Sequence, residues 1–262
     1  MPRLNCTPMR HAIIRILSTA LVALICLVAV GVGALAATVR LKGGEWRMPA
    51  ANDVKNLVYI EVAAKPVHTI YLQRDAMTIR FGADDAANGV SSLVAPGVVH
   101  TIPKYRASNQ NWKRLMTCVE DKFAGLDVRF TDVAPSGNNY VIVKVGGEQS
   151  DIGKEGGAIG GLAPFNGDPL RNVIVYAFDQ GGRYRTRTNC ETIAHEVGHI
   201  YGLDHTFKCG DIMSYLQCGK KSFLPETLAC GEHETRDCVA LRPGQNSAAH
   251  LLRLLGPARE VR

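Results

Sequence analysis

Three histidines, one glutamate and one glycine in the second half of the chain have the types and spacing needed for hydrolytic chemistry at a metal ion. His195 and His199 are four residues apart, so on a helix both imidazoles lie on one face and can reach one ion. Glu196 lies beside them, where its carboxylate can reach a water molecule at the ion without being a ligand. This pattern predicts metal-assisted hydrolysis.

A third histidine completes the set only if the helix ends before it. On a continuous helix His205 would lie about 15 Å beyond His195 and on another face. Gly202 can adopt the positive φ that ends a helix and turns the chain back. Three protein ligands leave the fourth position of Zn²⁺ open for water, as a catalytic zinc site requires. We therefore expect one zinc ion, bound by His195, His199 and His205.

An accidental match to these five positions is rare, because the composition of the chain gives it a chance of about 3 in 100,000. The segment also carries the signals of a helix. Thr188 with Glu191 three residues later predicts a capping box. Apolar residues follow at helical spacing, namely Ile193, Val197, Ile200 and Tyr201. A helix is thus predicted to begin at Thr188 and to bury one face.

Strands and a second helix are predicted upstream of this segment. The β-type runs are 69–72, 77–81, 127–133, 140–145 and 172–178, the last of which should be a buried strand. A turn at 135–137 predicts that the runs 127–133 and 140–145 form a hairpin. Residues 109–123 predict an amphipathic helix with an apolar face of Trp112, Leu115, Met116 and Val119. The class expected is α+β.

One short extended piece lies in the glycine-rich loop 146–169. It comprises Gly161, Leu162, Ala163, Pro164 and Phe165. Because Pro164 has no backbone N–H to donate to a neighbouring strand, the piece is predicted to be an edge strand. Asp151, Glu155 and Asp168 lie in the same loop, where their oxygens could bind a structural Ca²⁺; the alternative is that these acids are simply solvated.

The residues from His195 to His205 match the signature HExxHxxGxxH of the metzincin metallopeptidases at every fixed position. Downstream, the segment 211–215 resembles the metzincin Met-turn. In that turn a methionine, here Met213, lies beneath the zinc site, and a tyrosine two residues later, here Tyr215, lies near the metal in some branches. The chain thus resembles a metzincin over about residues 67–256.

This resemblance implies a metzincin-like catalytic domain: a twisted mixed sheet, an active-site helix, and a cysteine-rich C-terminal subdomain that ends in a helix at 248–255. It implies a zinc endopeptidase in which Glu196 is the general base and Tyr215 donates to the oxyanion. The edge strand 161–165 would align the substrate. Thr206 follows the third histidine and matches neither the astacin glutamate nor the serralysin proline, so the subfamily stays open. The cysteines resemble those of a cysteine-rich, matrixin-like group of secreted bacterial proteins.

The first 37 residues predict export. They contain three arginines and no acidic residue, then an apolar run from 16 to 33 and an Ala-Leu-Ala site at 34–36. This order is typical of a cleaved secretory signal peptide, and a retained membrane anchor is the alternative. Residues 38–66 are interpreted as a linker or short propeptide, and 67–262 as the metallopeptidase domain. The domain is expected outside the cytoplasm, either secreted or periplasmic, or held at the membrane if the leader is retained.

Six cysteines remain beyond the leader and predict three disulfides in an exported domain. They are Cys118, Cys190, Cys209, Cys218, Cys230 and Cys238. We expect Cys209 to pair with Cys218 in a local loop, and Cys118 to pair with Cys230 or Cys238. A cysteine metal cluster is the alternative, but the spacing contains no C-x-x-C pair.

The charge of the chain limits its partners. The formal net charge of +6 falls to +3 when the three leader arginines are set aside, which is too small to indicate nucleic acid. A protein or peptide substrate and a monomeric state are expected. The function classes left open are an active peptidase, the same enzyme anchored to a membrane, and a catalytically silent zinc-binding or adhesion domain.

Overall fold

The computed structural model describes residues 68–156, 159–182, 185–217, 219–239 and 242–259. The strands of this part of the chain are β1 (His68–Gln73), β2 (Met77–Phe81), β3 (Val90–Ser91), β4 (Val99–Ile102), β5 (Val128–Thr131), β6 (Val141–Val145), β7 (Gly161–Leu162) and β8 (Ile174–Ala177). Its α-helices are α1 (Asn109–Lys122), α2 (Arg185–Ile200) and α3 (Ser247–Leu255). The α+β class is confirmed. The predicted leader, 1–37, and the predicted linker, 38–66, lie outside the described residues.

The larger sheet has the strand order β5-β1-β6-β8-β7. The first four strands are parallel, and β7 pairs antiparallel with β8 at the edge. Every residue of β6 and β8 is buried, because both faces of this sheet are covered. Val143 and Val175 pack in the cluster that contains the helices, whereas Ile142 and Ile174 pack with residues of the smaller sheet, β3-β2-β4.

The predicted hairpin of 127–133 and 140–145 is wrong. β1 lies between β5 and β6 and pairs in parallel with both, so that Ile70 is opposite Phe130 on one side and Val141 on the other. The reason is that Ile70 and Leu72 are fully buried. The backbone groups of a buried strand need partners on both edges, and two flanking strands supply them.

Helices α1 and α3 form nearly where the sequence predicts them. Trp112, Leu115 and Val119 of α1 are buried, and Ser108 caps its first turn by accepting a hydrogen bond from the backbone N–H of Asn111 (3.2 Å). Asn246 caps α3 in the same way through Ala249 (2.8 Å). Both caps satisfy backbone donors that a helix start leaves without partners.

The start predicted for the active-site helix is wrong. Helix α2 begins at Arg185, so Thr188 and Glu191 lie inside it rather than forming a capping box. The carboxylate of Glu191 instead accepts a hydrogen bond from the backbone N–H of Lys221 (3.2 Å). The Glu191 carboxylate, which the sequence pattern assigned to the helix start, is therefore engaged in a tertiary contact.

The disulfides differ in part from the prediction. Cys118 pairs with Cys190, not with Cys230 or Cys238. Helix α1 packs on α2, and the Cα atoms of these two cysteines lie 6.0 Å apart. Cys230 and Cys238, eight positions apart in sequence, pair with each other. Cys209 is also disulfide-bonded, and its predicted partner Cys218 lies outside the described residues.

Candidate metal centre

Helix α2 carries the first two candidate ligands and the candidate base into the core. Its apolar residues Ile193, Val197 and Ile200 are fully buried. His195, Glu196 and His199 are 9%, 6% and 7% exposed. These three polar side chains are therefore nearly buried on a rigid element.

Gly202 ends the helical path, as predicted. Its φ is +82°, a left-handed conformation that favours glycine. A Cβ atom at this position would also lie 2.5 Å from the carbonyl oxygen of Gly167, so no larger residue fits. The chain turns back here and brings His205 to the other two histidines.

The Nε2 atoms of the three histidines converge. Nε2 of His199 lies 3.0 Å from Nε2 of His195 and 2.9 Å from Nε2 of His205. Burial lowers the pKa of His199 to about 4 and lowers the pKa of His195 well below its usual value. Both rings are thus neutral at pH 7, and neutral imidazole is the form that binds a metal ion.

Backbone carbonyls orient the two helical histidines. Nδ1 of His195 donates to the carbonyl oxygen of Ile212 (2.9 Å), and Nδ1 of His199 donates to that of Leu203 (2.8 Å). Because a carbonyl oxygen only accepts, each Nδ1 carries the ring proton. The lone pair of each ring is therefore on Nε2, the atom that faces the other histidines.

A carboxylate orients the third histidine. Nδ1 of His205 lies 2.7 Å from Oε1 of Glu232, so this ring also presents Nε2 inward. Three nitrogen lone pairs facing one another repel unless a cation lies among them. Imidazole nitrogens suit zinc, copper, iron and nickel, and hydrogen bonds at the other ring nitrogen are the usual support of such ligands. His195, His199 and His205 could therefore hold a metal ion.

Glu196 lies beside this group and contacts the edge strand. Burial raises the pKa of its carboxyl group to about 8, which places its titration near neutrality. A Cβ atom built on Gly161 would lie 2.6 Å from Cγ and 2.7 Å from Oε1 of Glu196. The carboxyl group is thus packed directly against strand β7. A carboxyl group with this pKa can take up and release a proton near pH 7.

Met213 lies directly beneath α2. A Cβ atom at Gly198 would be 2.4 Å from Sδ of Met213, so the absence of a side chain at 198 lets the methionine pack against the helix. The buried carboxylate of Asp211 accepts a hydrogen bond from the backbone N–H of Met213 (2.8 Å). This segment also supplies the carbonyl of Ile212 that orients His195.

Two aromatic side chains flank the histidines. The ring of Tyr215 lies 4.3 Å from that of His205 between centroids, and the ring of Phe165 lies 5.1 Å from that of His199. Both are partly exposed, at 49% and 36%. Burial, and then the charge of Glu196, raises the pKa of Tyr215, so its hydroxyl group stays protonated and can donate.

The predicted edge strand is present but shorter than expected. Gly161 and Leu162 pair with Ala177 and Tyr176 of β8, and in the described part of the sheet no strand lies on the other side of β7. Ala163, Pro164 and Phe165 continue beyond the ladder toward the histidines. Backbone groups on the outer side of β7 can therefore pair with an added strand.

The sequence prediction missed three residues that support the site: Asp204, Glu232 and Arg236. The guanidinium group of Arg236 donates to both carboxylate oxygens of Asp204 (2.8 Å each) and to Oε1 of Glu232 (2.7 Å). Asp204, His205 and Glu232 form a second group with metal-ligand spacing, but the guanidinium group already binds both carboxylates. Two signals were available in the sequence. Asp204 directly precedes the third histidine, and Glu232 and Arg236 stand four residues apart between two cysteines.

The candidate calcium ligands are not brought together. Within the described ranges, Asp151, Glu155 and Asp168 do not form a group with metal-ligand spacing. The carboxylate of Asp151 instead accepts a hydrogen bond from the backbone N–H of Glu148 (2.8 Å) and closes a short 3₁₀ turn. Its oxygen is therefore used within the loop.

No family model matches the chain, and no curated protein sequence matches it.

None of the helices in the part of the chain described here is long and apolar enough to cross a membrane.

Proposed function

We propose that this protein is a zinc-dependent endopeptidase of the metzincin type. The observation that carries the proposal is the convergence of three Nε2 lone pairs beside a buried carboxyl group that is not among the converging ligands. Three histidines and an open position are the ligand set of a catalytic zinc site rather than a structural one. Two Zn–N bonds of about 2.05 Å at a tetrahedral angle place their nitrogens about 3.3 Å apart, close to the spacing found here.

Each residue of the site has a role in peptide hydrolysis. When bound, Zn²⁺ would activate water for attack and polarise the scissile carbonyl. Glu196 would accept the proton of the attacking water and pass it to the leaving amine, a function that matches a carboxyl pKa of about 8. Tyr215 would donate a hydrogen bond to the oxygen that becomes negatively charged, a contact worth about 3 kcal/mol at comparable sites.

The substrate would be an extended peptide segment. Among the described strands none lies on the outer side of β7, and an extended chain can add to such an edge through main-chain hydrogen bonds. Because Gly161 touches Glu196, a segment bound on this edge would pass close to the base. Partly exposed Phe165 would contact its side chains near the histidines.

The disulfides agree with an enzyme that works outside the cytoplasm. Such bonds persist in oxidising compartments, and the pairs Cys118–Cys190 and Cys230–Cys238 are both formed. We propose that the protein is exported by the leader predicted over 1–37. The segment between α2 and α3 would be the cysteine-rich C-terminal subdomain expected from the metzincin resemblance.

Replacement of Glu196 by glutamine tests the proposal. The Glu196→Gln protein should bind one equivalent of zinc and keep the thermal midpoint of the wild type, because residue 196 is not among the ligands. Its kcat on a casein-type substrate should fall by at least about 10² to 10⁴, the usual cost of losing a general base. The matched control is Glu120→Gln, at an exposed position of α1, which should leave kcat unchanged.

Three results would overturn the proposal. The first is a wild type that binds no zinc. The second is equal cleavage by the wild type and Glu196→Gln, which would assign the activity elsewhere. The third is a zinc-loaded wild type that cleaves nothing in a broad peptide library, which would favour a silent zinc-binding domain.

A further inference from the structure

The disulfide Cys230–Cys238 closes a loop next to the third histidine. We call residues 230–238 the disulfide loop. Both cysteines are buried, at 0% and 2% exposure, so the two ends of the loop are fixed in the protein. Gly231 begins the loop with a φ of +141°, and a Cβ atom there would overlap the carbonyl of Glu234. The loop is therefore tightly turned as well as covalently closed.

His205 differs from the other two histidines in what holds it. His195 and His199 lie on α2, whose backbone hydrogen bonds fix their positions. His205 follows the helix in a stretch without regular structure. The position and orientation of its ring must therefore come from other contacts.

These contacts come from the disulfide loop and from Asp204. The backbone N–H of Gly231 donates to the carbonyl oxygen of His205 (3.0 Å), and Glu232 accepts from its Nδ1 (2.7 Å). The backbone N–H of His205 donates to Oδ1 of Asp204 (2.8 Å). The backbone N–H, the backbone carbonyl and the Nδ1 of the third ligand are thus all engaged.

Arg236 joins the two carboxylates. It binds Asp204 through two parallel hydrogen bonds and reaches Glu232 from the same guanidinium group. Asp204 is 1% exposed and also accepts from the backbone N–H of Val239 (2.9 Å), just after the loop. A bidentate arginine–carboxylate pair has a defined geometry, so Arg236 fixes the place of Glu232 relative to the chain around His205.

We propose that the disulfide loop is a positioning element for the metal site, in which Glu232 orients the ring of His205 and Arg236 holds Glu232 in place. This inference rests on the proposed function, because it takes His205 to be a zinc ligand. Glu232 binds the ring nitrogen remote from the ion and fixes the tautomer of the ring. It is therefore a positioning residue and not a catalytic one.

Zinc affinity measured on the full chain tests this role without any substrate. Loss of such a supporting partner typically weakens metal binding about 10- to 100-fold. In competition with a chromophoric chelator, Glu232→Ala should show this loss, and Glu232→Gln, which keeps an acceptor oxygen, should recover part of it. The matched control is Glu234→Ala, at an exposed position of the same loop, which should bind zinc like the wild type.

Two further measurements separate positioning from general damage to the fold. With Co²⁺ in place of zinc, Glu232→Ala should shift the visible absorption bands of the bound ion, whereas Glu234→Ala should not. Arg236→Gln should weaken zinc binding partly through Glu232, so its effect should be smaller in the Glu232→Ala background than in the wild type.

The outcomes distinguish the two proposals. A wild type that binds no zinc overturns the proposed function and this inference with it. A wild type that binds zinc and cleaves peptide, together with Glu232→Ala and Glu234→Ala of equal zinc affinity and equal cobalt spectrum, overturns the inference alone. If Glu232→Ala does not fold, Glu232→Leu removes the acceptor oxygen and keeps most of the volume, and a Glu232→Leu protein with wild-type affinity and wild-type spectrum overturns the inference.

Discussion

Replacing Gly161 by alanine should damage catalysis while leaving the metal ligands intact. The new Cβ would lie 2.6 Å from Cγ of Glu196, 2.7 Å from its Oε1, and 2.7 Å from the carbonyl oxygen of Tyr176. Non-bonded carbon atoms prefer separations of about 3.5 to 4.0 Å, so the overlap is about 1 Å. The Tyr176 carbonyl belongs to the buried strand β8 and cannot move away, so either β7 or the carboxyl group of Glu196 must shift.

The size of the effect follows from this overlap. A displacement of about 1 Å in a catalytic group can cost about 10²-fold in rate. Overpacking of this kind typically destabilises a protein by about 1 to 3 kcal/mol. We therefore expect Gly161→Ala to lower kcat/KM on a peptide substrate about 100-fold, mostly in kcat, with one zinc ion still bound.

The neighbouring glycine provides the control. A Cβ atom at Gly160 would approach only the ends of the Thr192 and Gln180 side chains, at 3.2 and 3.3 Å, and these can rotate away. Gly160→Ala should therefore keep kcat/KM within about threefold of the wild type, because its strain is small. The reasoning would be refuted if Gly161→Ala matched Gly160→Ala in both kcat/KM and thermal midpoint.

Two further predictions concern stability. Replacing Cys118 and Cys190 together by alanine opens a loop of 72 residues and should lower the free energy of unfolding by about 4 kcal/mol in the chain-entropy model; a loss below about 1 kcal/mol in urea unfolding would contradict it. Burial lowers the pKa of Lys144 to about 8 from 10.5, so between these pH values the unfolded chain binds more protons and stability should rise with pH. Lys144→Met should reduce this rise when unfolding is compared at pH 8 and pH 10, with a remainder from Lys221, whose pKa burial also lowers; an unchanged rise would assign it to other groups.

The sequence predicted that the three histidines come together, because a metal site imposes local spacing. His195 and His199 follow from the helical repeat, and Gly202 follows from the need to end the helix before His205. In the structure Gly202 has a positive φ, and the Nε2 atoms of the three histidines lie close together. Apolar spacing likewise predicted α1, and a β-type run predicted the buried strand β8. That zinc is the ion and that Glu196 is a base remain proposals.

The pairing of distant elements could not be predicted in the same way. The alternating runs that became β5 and β6 carry no mark that β1 lies between them, so the nearest pairing, a hairpin, was predicted. The partner of Cys118 depends on how α1 packs against α2, and sequence alone leaves many pairings of six cysteines open. In both cases the outcome is decided by burial in the assembled core.

The supporting partners of the histidines show why only part of a site can be visible in its sequence. His195 and His199 are oriented by the carbonyls of Ile212 and Leu203, and every residue has a carbonyl, so no residue type marks them. His205 is oriented by Glu232, a side chain that can be replaced and is therefore specific. It lies 27 residues away in sequence, and backbone hydrogen bonds between the two segments, among them the one from Gly231 N–H to the carbonyl oxygen of His205, bring it close. Substitutions of Glu232 should therefore affect the third ligand selectively, because the carbonyls that orient the other two remain in place.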